Sequence, residues 1–347
     1  MNATNTPTVA LATAMARALE LATKGPMTGG NPRVGCVLLD STGAICAEGW
    51  HEGSGTQHAE IMAMANARAA GISTEGLTAV VTLEPCAHTG KTGPCAKALV
   101  EAGIARVVFS VEDPGVDSSG GAQVLEGAGI EVVRGVMNQE GGALIERWHH
   151  SVSSGRPWVT LKWAMSWDGR AATADGTSQW ITGPATREKV HQDRSEHGAI
   201  VVGTNTVLVD DPSLTARTSS GDLHDHQPLA VVAGNTEVPQ GAKIRSHPGG
   251  FRHVPGHDPH AVLAQLFSEG IRSVYVEGGP TLASAFITAG VVDEFRITVG
   301  PMLIGGPMMA VRDLGVSTMS EVIGLDIRDI TRLGDDVVVT ARPRSGK

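Results

Sequence analysis

The stretch TAVVTLEPCAHTGKTGPCAKALVEAG, residues 78–103, decides how the first half of the chain is read. TAVVTL is rich in β-branched and apolar residues, which predicts a buried strand. Pro94 suits a helix start and Gly103 a helix end, so CAKALVEAG predicts a helix. Between them lie Cys86 and Cys95, in a segment broken by Gly90, Gly93 and Pro94. A zinc ribbon would pair its cysteines three apart, and a disulfide would not need the intervening His88 and Lys91. Strand, loop and helix in that order make one step of an α/β unit.

Working outward, Val9, Leu11, Met15, Leu19 and Leu21 mark a helix that ends near Gly25. RVGCVLLD and AICAEGW read as two strands, and DSTG at 40–43 turns between them, so they form a hairpin. HAEIMAMANARAAG follows as a helix closed by Gly71. After residue 103 come the strand ARVVFSV, a short helix, the strand IEVV and a helix over 138–155. The alternation predicts a largely parallel sheet covered by helices. SVSSGRP then reads as a linker, with a boundary near Ser154. The expected domains are 1–150 and 151–347. In the second, WVTLKWAMS, AIVVG, LAVVAG, SVYVEGG, EFRITVG and DVVVTARP read as strands. PATREKVHQDRSEHG and GPTLASAFITAG read as helices. The stretch 235–258 is rich in Pro, Gly and His without an apolar period and reads as loop.

Composition bounds the function classes. The 347 residues are 41% hydrophobic and 18% charged, with 5 Phe, 6 Trp and 1 Tyr and a formal net charge of −9. An acidic, aromatic-poor chain is badly suited to gripping a nucleic-acid backbone or stacking bases. A local basic pocket for a small phosphorylated substrate remains compatible with that charge. Four cysteines are too few for a disulfide scaffold of this length. The start lacks a basic n-region, and no stretch has about 18 uninterrupted apolar residues. The expectation is a cytoplasmic protein with free or metal-bound thiols and no membrane or nucleic-acid partner.

His58 and Glu60 open the helix after GSGTQ. Two residues apart, they point in different directions on a helix. At a helix start, His58 can bind a metal while Glu60 reaches past it to a water. With Cys86 and Cys95 the set becomes one His, two Cys and a Glu that is not a ligand. Catalytic zinc takes three protein ligands and keeps a fourth position for water, whose pKa it lowers to about 7. His-x-Glu followed by Pro-Cys-x-x-Cys is the zinc deaminase pattern, in which the Glu moves the proton to the leaving ammonia. Here eight residues separate the cysteines instead of two. Both thiols lie near predicted helix starts, which favour thiolate. Taken singly, each signal has a plainer reading. His-x-Glu also occurs as a helix-start charge pattern, and two cysteines also occur as buried apolar residues. A structural zinc would require a fourth Cys or His. Cys36 and Cys46 lie in the apolar hairpin and read as core.

The chain resembles the bifunctional deaminase–reductase family of riboflavin biosynthesis. The matching motifs are NPRVGCV (31–37), GWHEGSGTQHAE (49–60), TLEPCAHTGKTGPC (82–95) and EDP (112–114) in the first half. In the second they are LKWAMSWDGR (161–170), SQWITGPATR (178–187), GTNTVLVDDPSLTAR (203–217) and YVEGGPTLASAF (275–286). The family commonly has Arg-Thr-Pro-Pro-Cys where this chain has KTGPC. The resemblance implies an α/β fold: a cytidine-deaminase-like α/β/α domain, then a dihydrofolate-reductase-like α/β domain. It implies His58, Cys86 and Cys95 as ligands to one zinc ion and Glu60 as proton shuttle. It implies Asn31, His51, His88 and Lys91 as the lining of the pyrimidine pocket. Read alone, Asn31–Pro32 is equally a turn and Lys91 a solvated charge.

No G-x-G-x-x-G follows a strand, so that nucleotide fingerprint is absent. Gly278 and Gly279 do lie between a strand and a helix, where backbone N–H groups can hold a phosphate. The resemblance implies NADPH contacts from Ala164, Trp180, Thr206, Asp210 and the run Gly279, Pro280, Thr281, Leu282, Ala283, Ser284 and Ala285. It implies substrate contacts from Ser178, Arg194, Leu214, Arg217 and Glu277. Arg194 and Arg217 suit a phosphate, which a guanidinium pairs in bidentate fashion. The family commonly carries a further strand between LAVVAG and VEGGP. The loop-like 236–270 interval of this chain predicts that part of the wall around the cofactor's adenosine end is lost. The implied activity is deamination of 2,5-diamino-6-(5-phosphoribosylamino)pyrimidin-4-one, then NADPH-dependent reduction of its ribosyl group, in a homo-oligomer. Three other readings stay open here. They are a deaminase of another base, nucleoside or tRNA with a non-functional second domain, a DNA editor, and a zinc-stabilised binding protein.

Overall fold

The structure, a computed structural model, describes residues 9–88, 93–116 and 118–344. Lys91 therefore lies outside the described residues. The chain divides into two compact units, Met1–Ser154 and Gly155–Lys347.

The first unit runs α1 (Val9–Ala22), β1 (Gly35–Leu39), β2 (Ile45–Trp50), α2 (Ala59–Ala69), β3 (Thr78–Leu83), α3 (Cys95–Glu101), β4 (Arg106–Val111), α4 (Gly121–Gly127), β5 (Glu131–Arg134) and α5 (Asn138–Ser154). Its sheet has the order β2-β1-β3-β4-β5. The hairpin strand β1 is antiparallel to both neighbours, and β3, β4 and β5 are parallel. Side chains alternate between the faces, as a strand requires. Cys36, Leu38, Val81 and Phe109 meet α2, α3 and α4 on one side. Val37, Leu39, Val80 and Val108 meet Leu11, Met15 and Ala18 of α1 on the other. The result is three layers, with Cys36 fully buried and Cys46 Sγ 3.2 Å from Leu38 O.

Two close backbone approaches position the site at the end of this sheet. A Cβ on Gly49 would lie 2.4 Å from Ala59 O, so α2 can settle on β2 only over a glycine. A Cβ on Gly121 would lie 1.7 Å from Pro85 O, so the first turn of α4 presses directly on the loop that carries Cys86.

The second unit runs β6 (Trp158–Ser166), α6 (Pro184–Ser195), β7 (Ala199–Gly203), α7 (Thr204–Asp210), β8 (Leu229–Ala233), a 3₁₀ turn (Lys243–Ser246), β9 (Phe251–Val254), α8 (Pro259–Ser268), β10 (Ser273–Val276), α9 (Pro280–Thr288), β11 (Glu294–Gly300), β12 (Leu325–Leu333) and β13 (Asp336–Pro343). The sheet order is β12-β13-β11-β6-β10-β7-β8-β9. From β11 to β9 every neighbouring pair is parallel, and β12 and β13 add an antiparallel edge. Helices α8 and α9 cover one face. On the other, Val190 of α6, Val207 of α7 and Ile244 of the 3₁₀ turn meet Ile200, Val232 and Tyr275.

The 236–270 interval corrects the expectation. It is not a loop that has lost a strand: β9 pairs in parallel with β8, and α8 follows it. The strand has only four residues at the sheet edge, too few for a periodic pattern to emerge from its Pro, Gly and His surroundings. Helix α8 was missed as well, although Asp258 caps it by accepting from His260 N at 3.0 Å and Pro259 starts it. The expected loss of a wall around the cofactor's adenosine end loses its basis.

Gly121→Ala should push α4 off the Cys86 loop. Urea unfolding is expected to show a loss of about 1–3 kcal/mol in the first unit, with zinc retained less tightly in a competition assay against a chelator.

Candidate active site

His58 is the N-cap of α2, and Glu60 is the second residue of that helix. Cys86 follows the end of β3, and Cys95 is the first residue of α3 after an N-cap at Pro94. These elements converge, so that His58, Cys86 and Cys95 offer ligand atoms all within 4.8 Å of one another. His58 Nδ1 lies 3.2 Å from Cys95 Sγ and 3.7 Å from Cys86 Sγ. Tetrahedral zinc, with bonds of roughly 2.0–2.1 Å to nitrogen and about 2.3 Å to sulfur, separates such atoms by about 3.6 Å. The donor set and its spacing fit zinc.

The electrostatics point the same way. A hydrogen bond from the Cys95 thiol, opposed by burial and helped by His58 and the Cys95 N–H, holds Cys86 at about 4. Cys95 is pushed far up by Cys86 and by burial. The two sulfurs share one proton, which a divalent cation would replace. Glu60 is 4% exposed, and burial raises its carboxyl above the usual range.

A cavity of about 280 Å³ opens onto these residues. Asn31, His51 and His88, expected in the pocket, all line it. His51 Nδ1 is 2.9 Å from Gln57 O, which carries no proton, so Nδ1 donates. Nε2 then accepts from Asn31 Nδ2 at 3.0 Å. Burial lowers the His51 pKa and keeps the ring in this neutral form. The Asn31 amide is thereby turned with its nitrogen toward His51, and its Oδ1 is left to accept from a ligand. Glu84, Asp113 and Trp148 also line the cavity and were not anticipated. Glu84 accepts from Asp113 N at 3.1 Å and from Ala122 N at 2.9 Å. Its sequence signal was its place between β3 and Cys86.

In the second unit, Glu277 follows β10. It accepts from Arg194 Nε at 2.9 Å and Lys162 Nζ at 3.2 Å. The register explains the meeting: Val276 pairs with Leu161, so Glu277 and Lys162 extend side by side. Arg194 Nη1 and His191 Nδ1 each lie 3.0 Å from Thr215 O, and Arg217 Nε lies 3.1 Å from Thr215 Oγ1. Leu214, beside Thr215, is buried at φ 54, a strained conformation for leucine. Arg194, Leu214, Arg217 and Glu277 are thus brought together, with Lys162 and His191 added.

The expected cofactor residues are placed unevenly. The adjacent strands β7 and β10 end at Gly203 and Val276, and α7 starts at Thr204 and, after Gly278 and Gly279, α9 at Pro280, which puts Thr206 and Gly279 near the two helix starts. A Cβ on Gly203 or Gly279 would meet nothing within 4 Å, so an open cradle faces these helix starts. Pro280 has no N–H, leaving Gly279, Thr281 and Leu282 as first-turn donors. Ala283 is in the core, and Ser284 Oγ accepts from Arg312 N at 2.8 Å. Ala285 is half-buried, and Ala164 lies on β6 paired with Thr298. Ser178, Trp180 and Asp210 are exposed, and the Arg187 guanidinium lies 4.5 Å from the Trp180 ring centre. Asp168, readable as a mere turn residue, accepts from Ile304 N and Gly305 N at 3.1 and 2.7 Å and anchors that loop.

Residues 9–111 match the cytidine and deoxycytidylate deaminase zinc-binding region. Residues 157–339 match the RibD C-terminal domain. The chain is 47% identical over 300 residues to the riboflavin biosynthesis protein RibD of Corynebacterium ammoniagenes, covering 85% of this chain and 86% of the relative. The chain belongs to the RibD family.

Two solved members of the RibD family share its fold. The Acinetobacter baumannii RibD structure has a TM-score of 0.87 at 34% identity, covering 96% of this chain and 99% of that one. A diaminohydroxyphosphoribosylaminopyrimidine deaminase/5-amino-6-(5-phosphoribosylamino)uracil reductase from Thermotoga maritima gives 0.85 at 33% identity, over 96% and 99%. The RibD resemblance drawn from the sequence motifs is therefore shown, as is the two-domain α/β fold. No helix of the described residues is long and apolar enough to cross a membrane.

Zinc analysis of the purified protein should return about one equivalent, falling to a small fraction of that in Cys95→Ser. A second expectation concerns acid. Burial opposes ionisation of Glu277, but Arg194 and Lys162 overcome it and hold the carboxyl at about 2. Its folded pKa lies below its unfolded one, so its stabilisation is full above about 4.3 and lost as pH falls toward 2. Glu277→Gln should cost the second unit about 3 kcal/mol in urea at pH 7, and the gap to the wild type should close at pH 2.

Proposed function

We propose that the cavity of the first unit is where the ring amine of 2,5-diamino-6-(5-phosphoribosylamino)pyrimidin-4-one is hydrolysed. The second unit then reduces the ribosyl group of the aminouracil product to ribityl with NADPH. The observation that carries the reading is the His58, Cys86 and Cys95 cluster beside buried Glu60 on one small cavity. Zinc bound by these three residues supplies a Lewis acid and lowers the pKa of water to about 7. Glu60 takes a proton from the attacking water at its carboxylate and returns it to the departing ammonia. Asn31 accepts from the pyrimidine edge through Oδ1, oriented by His51. His88 lines the same cavity.

In the second unit NADPH supplies the hydride. The first-turn amides of α9 and the start of α7 hold its phosphates, with Ala164, Trp180, Thr206 and Asp210 as the further contacts. Arg194 and Arg217, gathered on Thr215, hold the substrate phosphate, with Ser178 and Leu214 beside it. Lys162, held by Glu277, is the nearby cation that can give the proton to the imine nitrogen as the hydride adds to the opened sugar carbon. A deaminase with a non-functional second domain is not favoured, because the RibD C-terminal match spans that unit and its charged cluster is intact. We further place the enzyme in the cytoplasm as a homo-oligomer. Exposed Ile327 and Ile330 on the edge strand β12 support self-association, and light scattering tests it.

A mass-spectrometric product assay with and without NADPH decides the reading. Wild type should yield the aminouracil alone without NADPH and the ribityl product with it. Glu60→Gln should lower deamination about 10²–10⁴-fold while keeping zinc and the reduction of supplied aminouracil. Wild-type deamination in that variant would overturn the role of Glu60.

A further inference from the structure

The deaminase cavity has a wall that its metal motifs do not supply. Trp148 belongs to α5, 118 residues from its hydrogen-bond partner Gly30, yet it lines the cavity with His58, Glu60 and Cys86. Among the described lining residues it is the only Trp, Tyr or Phe, in a chain with 12 such residues in all, counted as 5 Phe, 6 Trp and 1 Tyr. Trp148 packs against the first core as well, so the cavity wall it forms is backed by Val34, Ala59, Leu83 and the rest of that core. Its polar tip is engaged: Nε1 donates to Gly30 O at 3.2 Å. That bond holds the residue before Asn31, whose amide is in turn bonded to His51. About 280 Å³ is at the small end for a ligand site, where one flat wall contacts a large share of a ring.

We propose that Trp148 is a specificity-determining wall of the deaminase site. Its indole packs on the face of the pyrimidine ring, and its Nε1 fixes the Gly30–Asn31 backbone that presents the Asn31 amide. The inference rests on the deaminase reading above and deepens it. It assigns to α5, outside the zinc-binding region, a part in selecting a planar heteroaromatic substrate.

The two contributions separate by substitution. Trp148→Ala removes ring and donor, and kcat/KM for the diaminopyrimidine should fall about 10–100-fold, carried mainly by KM. Trp148→Phe keeps a ring and loses the donor, and KM should rise only about 2–10-fold. Titration of the zinc-loaded wild type with the same pyrimidine should quench tryptophan fluorescence, and that component should vanish in Trp148→Phe. Zinc content and reduction of supplied aminouracil should stay at wild-type levels in both variants. Wild-type KM and quenching in zinc-loaded Trp148→Ala would overturn the proposal, and equal losses in the two variants would overturn the ring contact. Quenching is read whether or not ammonia is released. A wild type that binds without deaminating would therefore sink the deaminase reading and leave this one to be judged on binding.

Discussion

Two cysteine sulfurs and an imidazole nitrogen within 4.8 Å form a donor set that protons satisfy poorly. Only one sulfur can readily ionise beside the other, as the opposite displacements of Cys86 and Cys95 show. A divalent cation resolves the conflict, and the surrounding architecture serves to keep the conflict in place. Two helix starts deliver His58 and Cys95. Gly121 lets α4 press on the Cys86 loop, and Glu84 ties the same loop to the backbone of Asp113 and Ala122. Neither Gly121 nor Glu84 belongs to the donor set, yet both fix the loop on which Cys86 sits.

The second unit solves a different charge problem. There a single carboxylate, Glu277, is held between two cations at the end of a central parallel strand. The backbone carbonyl and hydroxyl of Thr215 gather His191, Arg194 and Arg217 close by. The cluster carries more cationic than anionic groups, which is the local basicity that an acidic chain needs if it is to hold a phosphorylated ligand.

Much of this was legible in the sequence because the metal site is local in pattern. His58 and Glu60 sit at one helix start, and Cys86 and Cys95 bracket one loop, so motif and geometry coincide. The elements missed were those whose stability comes from neighbours. β9 is four residues long at an edge, and the exposed β12 shows little apolar alternation. Helix α7 begins directly after β7, without a separating turn. The residues missed were of the same kind. Trp148 lies in none of the motifs and Lys162 lies in LKWAMSWDGR without a role that the motif assigns, and tertiary structure brings them to Gly30 and Glu277.

Among the described residues each unit has its own apolar cores, and no residue of one set belongs to the other. Sequence change is therefore tolerated in two separate accounts. A substitution that loosens Phe109 draws on the reserve of the first half, and one that loosens Phe286 draws on that of the second. Two chemistries can share one chain and still drift at different rates, because what each must preserve is packed apart from the other.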